Sequence, residues 1–148
     1  MFHSTKSILL FLTSLILIHP YSATAADKND LNEVIRLIRE TATNKDKPSF
    51  YLSYMGLDYT TSVGLKDGKP EFVEIVTQTY YGTRDEFKTY TLKDDDLDGK
   101  VDSAVYQEGG VTKGTFDREK ETGKDVRRNS QSLYDSAIHF TLRKLNKK

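Results

Sequence analysis

The chain has 148 residues, with 22 basic and 22 acidic side chains, three histidines and no cysteine. That balance gives no global attraction to nucleic acid or to an anionic membrane, and the missing thiols exclude disulfides, thiolate zinc sites and cysteine nucleophiles. The length suits one domain able to bury a core without covalent staples.

Residues 1–25 have the layout of a cleaved secretory signal peptide. Lys6 supplies the charge, Ile8 to Ile18 the apolar run, and His19-Pro20 the break. Ala23-Thr24-Ala25 then offers the small-x-small site of a signal peptidase. Eleven apolar-run residues would rise about 16 Å as a helix, about half of a hydrocarbon core. An uncleaved anchor or a buried helix is the competing reading. Cleavage would start the mature chain at Ala26 or Asp27, leave no membrane span, and place 26–148 in the periplasm or outside the cell. The lack of cysteine in an exported chain of this size leans toward a bacterial periplasmic or secreted protein.

The first mature segment, Asp27 to Thr43, is expected to be a helix. Asp30 is the expected N-cap with Glu33 completing a capping box, and Leu31, Val34, Ile35, Ile38 and Ala42 share one face. Asn44 to Pro48 ends it. Ser49 to Met55 reads as a short strand. Strands follow at Asp58–Leu65 and Glu71–Tyr81, joined by Lys66-Asp67-Gly68-Lys69, whose Asp-Gly pair favours a primed hairpin turn. Val73, Ile75, Thr77 and Thr79 alternate with Glu74 and Gln78, as on a half-buried strand. A turn at Gly82–Asp85, strands at Phe87–Leu92 and Asp102–Gln107, a Gly109-Gly110 turn and a strand at Val111–Phe116 continue the series. Residues 117–128 read as a polar connector or a poor helix. Asn129 to Leu145 is the second expected helix, with Leu133, Tyr134, Ala137, Ile138, Thr141, Leu142 and Leu145 forming its apolar stripe. The expected fold is α+β: an antiparallel meander of four to six strands with an N-terminal and a C-terminal helix on one face.

Between two of these strands lies Asp94-Asp95-Asp96-Leu97-Asp98-Gly99-Lys100-Val101-Asp102. Carboxylates stand at loop positions 1, 3, 5 and 9, with glycine at 6 and an apolar residue at 8. A hard cation such as Ca²⁺ takes six to eight oxygens, and a short loop of alternating aspartates can turn several inward. The same residues suit a solvated acidic turn or another hard metal.

The pattern resembles the first nine residues of an EF-hand calcium loop. The resemblance implies side-chain oxygens from Asp94, Asp96 and Asp98, the backbone carbonyl of Lys100, and Asp102 directly or through water. It also implies that Gly99 makes the sharp turn and that Val101 pins the loop to the core. Position 12, a bidentate glutamate in an EF-hand, is Val105 here, and the flanks read as strands rather than helices. The resemblance is therefore to a ligand set and not to the EF-hand fold. A further carboxylate would come from Glu74, Asp85, Glu86, Glu108 or water. So few ligands suggest a dissociation constant on the order of 10⁻⁴–10⁻³ M.

Charge is segregated: eight acids against three bases from Asp85 to Glu108, ten bases against five acids from Val111 to Lys148. The basic segment reads as a solvated face or as a surface for an anionic polymer. His139 is the sole histidine beyond the leader; it reads as structural, and any Ser-His-Asp triad would have to use it. No nucleophile elbow, P-loop or dinucleotide fingerprint occurs. The tyrosines read mainly as strand packing, with a carbohydrate or partner strip as the minority case. The expectation is an exported, calcium-stabilised, non-enzymatic binding or accessory module. Its partners would be calcium and a cell-envelope polymer or protein, with no nucleic acid. The alternative is a cell-envelope hydrolase or polymer-binding protein in which calcium is only structural.

Overall fold

A computed structural model describes residues 25–80 and 86–147. The expected leader, except Ala25, and the expected turn at 82–85 lie outside the described residues. Six strands follow one helix and precede another: α1 (Lys28–Thr41), β1 (Ser49–Tyr54), β2 (Leu57–Lys66), β3 (Lys69–Tyr80), β4 (Phe87–Asp94), β5 (Ser103–Glu108), β6 (Val111–Asp117) and α2 (Lys124–Leu145). Each strand pairs antiparallel with its sequence neighbour, giving the open order β1-β2-β3-β4-β5-β6. The meander and the α+β class are as expected. No helix among the described residues is long and apolar enough to cross a membrane.

Local chemistry explains the turns. Met55 and Gly56 both have positive φ, as do Asp67 and Gly68, and Gly109 and Gly110. Two successive positive φ angles make the primed turn whose twist matches antiparallel strands. The Met55-Gly56 turn carries a weaker signal than Asp-Gly, because methionine rarely adopts this conformation.

Register decides which side chains face the helices. Phe50, Thr61, Ile75, Leu92, Ala104 and Phe116 form one cross-strand row through all six strands. The adjacent row runs Val63, Val73, Asp94. Because strand side chains alternate between faces, these rows share a face. Most of their members are buried, and helices α1 and α2 pack on them and on each other. Leu31, Val34, Ile35 and Ile38 of α1 meet Tyr134, Ala137 and Ile138 of α2 in this core. The β4 strand runs to Asp94, two residues beyond the expected end at Leu92. That extension makes Asp94 a core-facing strand residue.

Both helix starts differ from expectation. Asp27, not Asp30, caps α1: its side chain accepts from the Asp30 N–H at 2.8 Å, leaving Asp30 as the third helical residue. Glu33 turns to Arg36 instead of closing a capping box. Helix α2 starts at Lys124, inside the segment read as a connector, and its N-cap is Gly123 with φ 72°. The glycine is there for two reasons. A left-handed φ is cheap only without a Cβ, and a Cβ here would stand 2.1 Å from the Thr115 carbonyl oxygen of β6. The close approach lets α2 leave the last strand and fold back over the sheet.

Gly123→Ala therefore combines backbone strain with a clash against main chain. The expected loss is about 2 kcal/mol or more, read as a lower urea midpoint. An unchanged midpoint would show that the turn relaxes freely.

Candidate metal centre

The loop 94–102 is built around carboxylates that accept main-chain N–H groups. Asp94, fully buried at the end of β4, takes the Gly99 N–H at 3.0 Å and the Asp98 N–H at 3.2 Å. Asp96 shares the Asp98 N–H at 3.1 Å. Asp98 accepts from Lys100 N–H at 2.8 Å, and Asp102 from Asp95 N–H at 2.7 Å. Leu97 and Gly99 both have positive φ, at 58° and 86°. The chain thus curls around its own side chains, and Val101 points into the core, 3% exposed.

Three of the expected ligands converge. One carboxylate oxygen from each of Asp94, Asp96 and Asp102 lies within 4.8 Å of the other two, a separation at which one cation can touch all three. Asp98 faces elsewhere. Its Oδ2 lies 3.1 Å from both terminal nitrogens of Arg118, while the same guanidinium reaches Asp102 Oδ1 at 2.9 Å. Lys100 enters the loop through its N–H on Asp98. Asp95 sits outward, its carboxylate 2.5 Å from Lys93 Nζ.

Two side chains of α2 hold the loop against the domain. The Tyr134 hydroxyl donates to Asp94 Oδ2 at 2.7 Å inside the core. Gln131 clamps the loop from above: its Oε1 accepts the Val101 N–H at 2.9 Å and its Nε2 donates to the Gly99 carbonyl at 3.1 Å. The same Nε2 lies 3.0 Å from Asp135 Oδ1. Arg118, Tyr134 and Gln131 were not among the residues expected at this site. Tyr134 was hidden in the apolar stripe and Arg118 in the supposed connector. A visible hint was Gln131 and Asp135, a polar i,i+4 pair beside that stripe.

Electrostatics divides the acids. Burial pushes the Asp94 carboxyl above the usual carboxylate range, aided by repulsion from Asp98 and Asp102 and opposed by the Tyr134 and Gly99 donors. Burial acts to raise Asp98 too, but the Arg118 and Lys100 hydrogen bonds outweigh it and hold Asp98 below its ordinary value. Tyr134 is pushed well up by burial and by the Asp94 charge, so it stays a donor.

A shallow cleft of about 370 Å³ opens beside the cluster, lined by Asp95, Asp96, Asp102, Ser103, Asp117 and Glu119. Asp117 is engaged by Lys120 at 2.8 Å. Of the residues first considered for a missing ligand, Glu108 lies at the opposite end of β5, where it accepts from Tyr106 and faces Lys88. Glu86 precedes β4 at that same end, and Glu74 stands beside Lys93 on the other face of the sheet. Asp85 is outside the described residues. Comparison with protein-family models, with curated proteins and with solved structures gives no match.

Tyr134→Phe keeps the ring and removes the donor to Asp94. The buried carboxylate then loses a charge-assisted hydrogen bond, with an expected cost of about 1–3 kcal/mol, measured by urea denaturation. Stability equal to that of the parent would show that the hydroxyl does not anchor the loop.

Proposed function

We propose that this protein is an exported, non-enzymatic binding or accessory module whose loop 94–102 takes up Ca²⁺. The observation that carries the reading is the convergence of Asp94, Asp96 and Asp102, whose carboxylate oxygens share one centre. An all-oxygen donor set suits a hard cation, and calcium tolerates an irregular shell better than magnesium, which demands a near-ideal octahedron and keeps its waters. Asp94, Asp96 and Asp102 form the core of the ligand set in this reading. Asp98 and the Lys100 carbonyl complete it, Asp98 by leaving Arg118. Glu119, on the rim of the adjacent cleft, is a candidate for the carboxylate that Val105 cannot supply.

Arg118 gives this site its character. Its guanidinium already bridges Asp98 and Asp102. A cation entering the loop competes with it, which favours the weak, extracellular-type affinity on the order of 10⁻⁴–10⁻³ M. Calcium binding to the folded form then stabilises it by mass action. The accessory reading is supported by the use of the loop acids, which hold main-chain N–H groups. Among the described residues, the exposed tyrosines Tyr54 and Tyr80 lie at the far end of the strands from the loop, and exposed Tyr51, next to core-facing Phe50, lies on the face opposite Asp94, which argues against their joining it in one polymer-binding cleft.

Titration of calcium into chelator-treated protein should release or absorb heat and raise Tm, with a midpoint in the submillimolar to millimolar range. Asp96→Ala should remove both responses, and Asp95→Ala should leave them. No heat and no Tm change up to 10 mM calcium (roughly ten times the weakest expected constant) would end the calcium reading.

A further inference from the structure

Asp135 is 5% exposed, on the face of α2 that looks toward the start of the chain. Its Oδ1 accepts the backbone N–H of Ala26 at 3.2 Å, a contact between residues 109 positions apart. Its other hydrogen-bond partner among the described residues is the uncharged amide of Gln131. Among the described residues, the charge that favours its ionisation is that of His139, one turn along the helix. A buried carboxylate served by two neutral donors is an expensive arrangement unless a cation is brought to it.

The residue brought to it is the one that follows Ala23-Thr24-Ala25, the small-x-small run at the end of the expected leader. Ala25 is exposed, whereas Ala26 is 8% exposed and packs into the core cluster. Ala26 is thus a buried residue between exposed Ala25 and exposed Asp27, directly after the small-x-small run.

We infer that the bond between Ala25 and Ala26 is the processing site, and that the α-ammonium released on Ala26 forms a buried ion pair with Asp135. The inference rests on the export reading above. In the step, a signal peptidase hydrolyses the Ala25–Ala26 amide. The C–N bond breaks, the hydroxyl of water joins the Ala25 carbonyl carbon, and one water hydrogen joins the Ala26 nitrogen. The proton of the new carboxylic acid passes to the amine, leaving a carboxylate on the leader and an ammonium on the domain. An α-amino group with an ordinary pKa near 8 carries that charge at neutral pH.

The pair would also reach the candidate metal loop. Gln131 joins Asp135 to the Gly99 carbonyl and the Val101 N–H. The Ala26 carbonyl oxygen itself lies 3.5 Å from where a Cβ on Gly99 would stand. The new terminus, Asp135, Gln131 and the turn at Gly99 are thus contiguous. A residue left upstream of Ala26 would turn the ammonium back into an amide and carry its charge away from Asp135. Burial holds the Asp135 carboxyl above the ordinary range, so an ammonium placed beside it would favour the ionised form.

Two measurements test this. The N-terminus of the exported protein, read by mass spectrometry, should be Ala26; an intact leader would remove the export reading, and a start at Asp27 would remove the ion pair alone. Next, domains starting at Ala25 and at Ala26 are compared, each with and without Asp135→Asn, in chelator and so independently of calcium. The Ala26 form should melt roughly 5–10 °C above the Ala25 form, and Asp135→Asn should abolish the difference. Equal Tm values for the two starts, or a difference that persists when both carry Asp135→Asn, would overturn the inference.

Discussion

A carboxylate that faces a protein core must be given partners, and the partners of Asp94 organise this domain. It ends β4 in the same cross-strand row as Val63 and Val73, a place where a valine would raise no question. Its oxygens are satisfied from two directions: by the loop's own N–H groups at 98 and 99, and by Tyr134 on the last helix. The loop can curl only because Asp94 stays where it is, and α2 docks there because its tyrosine finds an acceptor. The cost of a buried unpaired charge thereby ties the sheet, the loop and the C-terminal helix into one unit.

The fold was largely legible because its signals are local. Period-two alternation in β3, the Asp67-Gly68 turn and the apolar stripe of α2 each depend on a few neighbouring residues. The errors fell where a distant contact decides. Asp30 and Glu33 looked like a capping box, yet Asp27 was the better-placed acceptor and Arg36 claimed Glu33. Gly123 lies in the stretch read as a connector or a poor helix; its role is to pass close to β6, which no local propensity reveals.

The loop illustrates the same limit at the level of chemistry. Alternate aspartates in a nine-residue run told where oxygens could gather, and three of them do gather. The alternation could not tell that Asp98 would be drawn aside by Arg118, twenty positions later. A cation supplied by the chain itself changes what a metal loop can be. Repulsion among the acids persists at Asp94, but an internal guanidinium bridges two of them and offsets part of it. Gln131 adds a further constraint, since one side-chain amide holds both the loop and Asp135.

The strand order has a bearing on how the chain reaches this structure. Every pairing in the sheet joins sequence neighbours, so each hairpin closes a short loop at small entropic cost. The packing of α1 is of another kind: its main partner is α2, at the far end of the chain. A nascent polypeptide could zip its meander while the first helix still waited for the last one to be synthesised. Closure of the domain then belongs to α2, which follows every strand, and loss of that helix would leave a folded sheet beneath an undocked amphipathic α1.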